Sequence, residues 1–292
     1  LHADDDDTLP ADDDDDTSDE SHGPAHYPAG QVHSPIPPFT ADTLRAVTAN
    51  GGPWHDRVFM KVGDSHTVTY GALPCFAGGS VDLGDHEHLD GTLDHFLGGD
   101  AAGATPFDRD TLAAEVGMSA SWAVSGQPSP LEEEIAAIAP HLALVQYGTN
   151  DMGLGTTHET ALWGYYENMV ALLDACIDQG IVPALMAIPH RADSTVAGWW
   201  VPTYNEVIRG LAQARQIPFI DLHLALEGLP DQGLGGDGLH LNVAGDGCDL
   251  TAAGLQYGNN VRNLAFLEVL DRLRAVLLQG EPALDPASPQ LE

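Results

Sequence analysis

Four short apolar runs, each closed by a polar turn, constrain this chain more than any other feature. Arg57-Val58-Phe59-Met60-Lys61-Val62, His141-Leu142-Ala143-Leu144-Val145-Gln146-Tyr147, Ile181 to Ile188 and Ile217 to Leu222 all have strand length. Helical stretches stand between them. Leu131-Glu132-Glu133-Glu134 opens one helix with acids in its first turn, where they suit the macrodipole. Thr156 and Glu159 read as a capping box for a second helix, which runs to Gln179 and stops at Gly180. Pro202 to Gln216 reads as a third helix. A last one covers about 259–278, with Val261, Leu264, Leu270, Leu273 and Leu277 on one stripe. Strands alternating with helices specify a three-layer α/β/α sandwich around a mostly parallel sheet of about five strands.

In open parallel sheets, ligand sites gather at the carboxyl ends of the strands. Gly63-Asp64-Ser65 follows the first run, Gly148-Thr149-Asn150-Asp151 follows the second, and Asp237-Gly238-Leu239-His240 comes after the last. A serine hydroxyl is a weak nucleophile until an imidazole takes its proton, and a carboxylate must hold that imidazole in one tautomer. Ser65, His240 and Asp237 fit those three roles. Each segment alone is ordinary turn sequence, so the weight lies in their joint order.

Together the three segments resemble the SGNH hydrolase superfamily of GDSL esterases and lipases, over roughly residues 55–280. The resemblance implies a flavodoxin-like sheet, a Ser65–His240–Asp237 triad, and no metal or cofactor. It also implies three donors for an oxyanion: the Ser65 backbone N–H, the Asn150 side-chain amide and a glycine N–H. Gly126, in Trp122-Ala123-Val124-Ser125-Gly126, is the choice for that glycine, with Gly117 and Gly71 as alternatives. Its distance from Ser65 implies an insertion near 74–112. His66 stands where the family has Leu or Ile, and is expected to face solvent or else touch substrate. His66, Met152 beside Asn150, and Trp199-Trp200, read as a loop pair, are candidates for a substrate wall.

The implied function is a serine carboxylic-ester hydrolase working through an acyl-enzyme. Close alternatives are a carbohydrate O-deacetylase or an acyltransferase of the same fold. A non-catalytic binding module is disfavoured, because such a domain has no chemical reason to keep all four polar residues. Cys75 follows the nucleophile by ten residues and Cys248 follows the base by eight, so a disulfide between them would brace both loops. Cys176, inside an apolar helix, reads as a buried free thiol. Asp85-His86-Glu87-His88, with Asp82 and Asp90, also contains an Asp-x-x-His pattern, but it precedes the Asn segment and reads as solvated loop charge rather than a zinc site.

Charge narrows the partners. The 292 residues carry 44 acidic against 10 basic side chains, and Lys61 is the only lysine. Twelve of the acids precede Arg45, so the body remains acidic in its own right. Such a surface repels nucleic acid and anionic membranes, leaving neutral or carbohydrate-linked esters as better substrates. No apolar run approaches a membrane span. The composition leaves both high-salt adaptation and lineage bias open. Residues 1–40, with aspartate blocks at 4–7 and 12–16, read as a disordered acidic and Pro-rich tether, with weak calcium binding as the functional alternative. Residues 41–280 then form the hydrolase domain and 281–292 a tail. The chain starts at Leu1 without a signal sequence, so a trimmed, secreted or surface-exposed (or periplasmic) product is expected.

Overall fold

The computed structural model describes residues 23–283. Strands β1 (His55–Gly63), β2 (Pro140–Gln146), β3 (Val182–Met186) and β4 (Phe219–Ile220) form one parallel sheet in the order β1-β2-β3-β4. Every residue of β2 and β3 is buried, as expected of strands covered by helices on both faces. Helices α5 (Pro130–Ile138), α6 (His158–Asp178) and α7 (Thr195–Arg215) cover one face; α1 (Pro38–Ala49), α3 (Asp90–Leu97) and α9 (Gly258–Arg274) cover the other. Three short helices, α2 (Ser65–Val68), α4 (Ala120–Ala123) and α8 (Leu222–Leu226), sit in the loops.

The sheet has four strands where the pattern suggests about five. Beside β1, where a further strand would stand, there is a single parallel bridge between Gly63 and Ala114. Gly63 N donates to Ala113 O at 3.2 Å, and Glu115 N donates to Gly63 O at 3.3 Å. Pairing stops there because within 112–116 only Ala113 and Ala114 are buried, while Leu112, Glu115 and Val116 are exposed.

Local chemistry sets the helix starts. Ser129 and Glu132 form a capping box ahead of α5, with Pro130 in its first turn. The box ahead of α6 is Thr157 with Thr160, one residue later than the Thr156–Glu159 pair read from the sequence. Helix α7 starts at Thr195, capped by Ser194, and runs through Pro202 rather than beginning there. Its buried stripe, Ala197, Val201, Tyr204, Ile208 and Leu211, extends on both sides of the proline, so packing overrides the missing N–H. Trp199 and Trp200 therefore lie on a helix, not in a loop.

The tether expectation over 1–40 does not hold for residues 23–40. Tyr27 is buried and its hydroxyl donates to Ile217 O at 3.0 Å, while Ala25 N donates to Gln216 Oε1 at 2.7 Å. His33 bridges Ile220 in antiparallel fashion, so this segment covers the β4 edge. Its apolar Tyr27 and Ile36 are buried. Both aspartate blocks, and the tail from residue 284, lie outside the described residues.

The segment 74–112 is clamped to β1 by aromatic rings. Phe59 meets Phe96 at 5.4 Å and Phe107 at 5.1 Å, and Phe107 meets Phe76 at 5.2 Å. Lys61, 5% exposed, donates from Nζ to Phe107 O at 2.7 Å, and burial pushes its amine down to about 8. Asp85 to His88 fall in a mostly exposed 3-10 turn, and no group of three His, Cys, Asp or Glu converges among the described residues. Fully buried Glu134 holds Arg109 at 3.1 Å and accepts Leu112 N at 3.0 Å. Removing the cation strands that carboxylate, so Arg109→Met is expected to cost about 3–5 kcal/mol of unfolding free energy in urea titrations. A loss below about 1 kcal/mol would reject the pairing as structural.

Candidate active site

Strand β1 delivers Ser65 to the sheet's carboxyl edge. At Gly63 an added Cβ would lie 2.0 Å from Thr67 Oγ1, so only glycine lets α2 fold back this tightly. Asp64 caps α2, its Oδ1 accepting His66 N at 3.0 Å, and Ser65 follows, half-buried.

The second component is a closed turn. Asp237 Oδ1 accepts the N–H groups of Leu239 and His240, both at 3.0 Å, and Oδ2 accepts His240 Nδ1 at 2.7 Å. Gly238 has φ +70, and its carbonyl accepts Ala192 N at 2.7 Å and Asp193 N at 3.0 Å. The hydrogen bond to His240 holds the Asp237 carboxyl well below the usual carboxylate range. With Nδ1 donating to Asp237, Nε2 presents its lone pair to Ser65 Oγ at 2.9 Å. An imidazole so placed can take the hydroxyl proton.

Asn150 comes from the turn after β2. Gly148 (φ +129) makes that turn, because a Cβ there would strike Ile188 at 2.4 Å. Asn150 Nδ2 donates to Asp64 Oδ2 at 3.2 Å and to Met118 O at 3.0 Å. Next to it, buried Asp151 accepts Ala120 N at 3.0 Å, which ties segment 118–120 to the same turn. Gly117 (φ +79) immediately precedes that segment. Among the described residues, neither the Ser65 nor the Gly117 backbone N–H has a hydrogen-bond acceptor. Gly126 lies past α4, in an exposed turn before α5, and bonds to none of Ser65, Asn150 and His240. Gly71 packs against Val243 and Asn259, and its carbonyl accepts Asn263 Nδ2.

The remaining wall candidates differ from expectation. His66 faces neither solvent nor an open cleft: it is 2% exposed, with its ring 5.3 Å from that of His240. Burial, followed by the charge of Arg262, pushes its pKa down to about 3, so it is neutral at ordinary pH. Met152 is buried as well, and its carbonyl holds His158 Nδ1 at 2.9 Å. Half-buried Trp200 lies 6.3 Å from the His158 ring, whereas Trp199 is 74% exposed. Burial raises Asp64 to about 6 and Asp151 to about 7.

Several residues that support the site are missing from the sequence reading. Arg191 Nη1 donates to Thr149 O at 2.9 Å, and its other nitrogens grip both Asp193 oxygens at 3.0 and 2.7 Å. It thus ties the Asn150 turn to the loop that binds Gly238. Its signal is scarcity: it is one of only 10 basic residues and lies in the loop after β3. Three buried asparagines on α9 peg the surrounding loops: Asn259 to Leu241 O, Asn260 to Asp249 O, and Asn263 to Gly71 O and Gly247 O. Cys75 and Cys248 form a disulfide between these loops, with Cα atoms 5.7 Å apart, and Cys176 is a buried free thiol.

No curated protein matches the chain. Among solved structures, a GDSL-like lipase from Bacteroides thetaiotaomicron aligns at 15% identity and TM-score 0.46, covering 79% of this chain and 98% of that one. A variant of an acetylxylan esterase from Geobacillus stearothermophilus aligns at 16% identity and TM-score 0.48, covering 75% of this chain and 95% of that one. The family model described as GDSL-like Lipase/Acylhydrolase matches residues 62–247, which include Ser65, Asn150, Asp237 and His240. The match spans more than half of the chain, and the protein belongs to that family of hydrolases.

Proposed function

We propose that this hydrolase is a serine carboxylic-ester hydrolase acting through an acyl-enzyme, with Ser65 as nucleophile, His240 as base and Asp237 as its orienting acid. The observation that carries the reading is the continuous chain from Ser65 Oγ to His240 Nε2 at 2.9 Å and from His240 Nδ1 to Asp237 Oδ2 at 2.7 Å. Ser65 Oγ bonds to the ester carbonyl carbon as His240 takes the hydroxyl proton. The tetrahedral oxyanion collapses, and His240 returns the proton to the departing alcohol. Water then repeats the sequence and releases the acid.

The donors for the oxyanion are the free N–H groups of Ser65 and Gly117, with the Asn150 amide as the third, its Nδ2–H exchanging the bond to Met118 O for one to the oxyanion. Gly117 replaces Gly126 in this role because its neighbour Met118 is bonded to Asn150. Loss of one such donor costs about 10²- to 10³-fold in kcat, which is the expected result for Asn150→Ala. Acidic surroundings favour neutral esters. The disulfide fits an oxidising compartment, which supports export to the surface, periplasm or medium.

The test is incubation with p-nitrophenyl esters of graded chain length, followed by a fluorophosphonate probe and peptide mapping. The expected result is ester turnover and one probe adduct, on Ser65. Turnover without an adduct on Ser65 would reject the mechanism. Turnover of acetyl esters alone would move the reading to the deacetylase alternative.

A further inference from the structure

Arg262 is the largest fully buried side chain among the described residues, 1% exposed, on the first half of α9. Its Nε donates to Gln146 Oε1 at 2.8 Å, and Gln146 is the register partner of Gly63, two residues before the nucleophile. Gln146 Nε2 in turn reaches Ala187 O at 3.2 Å. The guanidinium lies over the Phe266 ring at 4.8 Å, and its Nη1 has no hydrogen-bond partner. A buried cation is costly unless an acid compensates it. Among the described residues no carboxylate lies in ion-pair contact; Asp64, next to the Gly63 that pairs with Gln146, is the acid whose charge favours the guanidinium.

Asp64 has its own constraint. It is 1% exposed, and its two oxygens accept from His66 N and Asn150 Nδ2. Those two donors need an acceptor on each oxygen, a requirement that the carboxylate meets and the protonated acid does not, since its hydroxyl would face an N–H. We propose that Arg262 is a positioning residue that acts through Asp64 to fix the Asn150 amide at the oxyanion site. The inference rests on the serine-hydrolase reading above. Alongside the His66 N–H, the buried cation counters the desolvation that raises Asp64.

The test is a double-mutant cycle on kcat for a p-nitrophenyl ester, combining Arg262→Met with Asn150→Ala. In the parent protein, Arg262→Met is expected to lower kcat by about 10- to 100-fold with KM within about twofold, and Arg262→Lys restores most of it. In the Asn150→Ala background the same substitution has almost no further effect, because the group it positions is gone. Equal losses in both backgrounds would overturn the inference while leaving the serine mechanism intact. A loss below about twofold from Asn150→Ala alone would overturn the oxyanion assignment, and this inference with it. If Arg262→Met fails to fold, Arg262→Gln carries the same cycle.

Discussion

Ser65→Ala is expected to lower kcat on a short p-nitrophenyl ester by about 10⁶-fold, the loss seen when a triad nucleophile is removed from a comparable hydrolase. The size follows from what remains. On the proposed mechanism His240 would have no hydroxyl to deprotonate, while the free N–H groups and Asn150 would still polarise a bound carbonyl. Residual catalysis over water of about 10³–10⁴-fold should therefore survive. KM should move little, since the change removes one oxygen from a half-buried side chain whose hydroxyl bonds to His240. Steady-state kinetics with a matched thermal melt separate these quantities. A loss below about tenfold with an unchanged melt would assign the chemistry to another residue.

Removal of the Cys75–Cys248 disulfide should have the largest effect on stability. The bond closes a loop with a sequence separation of 173 residues, for which chain entropy predicts about 5 kcal/mol at 25 °C. Paired Cys75→Ala and Cys248→Ala substitution should then lower the melting temperature by about 10 °C or more. Activity measured well below the transition should fall only a few-fold. Asn263 still binds Gly71 O and Gly247 O, so the two loops remain docked without the sulfur bridge. An unchanged melting temperature would show that the denatured chain gains little freedom when this link is cut.

How much of this was legible in the sequence depended on whether the information was local. The runs that became β1, β2 and β3 declare themselves because a strand covered on both faces must be apolar throughout. Ser65, Asn150, Asp237 and His240 lie in turns that directly follow such runs or close on themselves within four residues, and the structure brings them together. The start of α7 was misplaced because Pro202 outweighed an apolar stripe that begins five residues earlier. Gly126 follows a short apolar run that reads as structure, whereas the segment before Gly117 that pairs with Gly63 offers only Ala113 and Ala114, too short a run to read as a strand. His66, Arg191 and Arg262 depend on partners distant in sequence, such as His240 for His66 and Gln146, 116 residues away, for Arg262, and no local pattern encodes those. The inward asparagines of α9 lie outside its apolar stripe, and their loop partners are fixed only by the fold.

The lone lysine carries a practical consequence. Lys61 is buried behind the aromatic clamp, with its amine bonded to Phe107 O, so acylating reagents aimed at lysine find no target on the native fold. Separation of the 74–112 segment from β1 would free one amine, and with the burial lifted its pKa would climb back toward the ordinary lysine value, so the reaction is read in alkaline buffer. Acetylation at Lys61, located by peptide mapping and followed over time by mass spectrometry, would count excursions of one seam of the molecule.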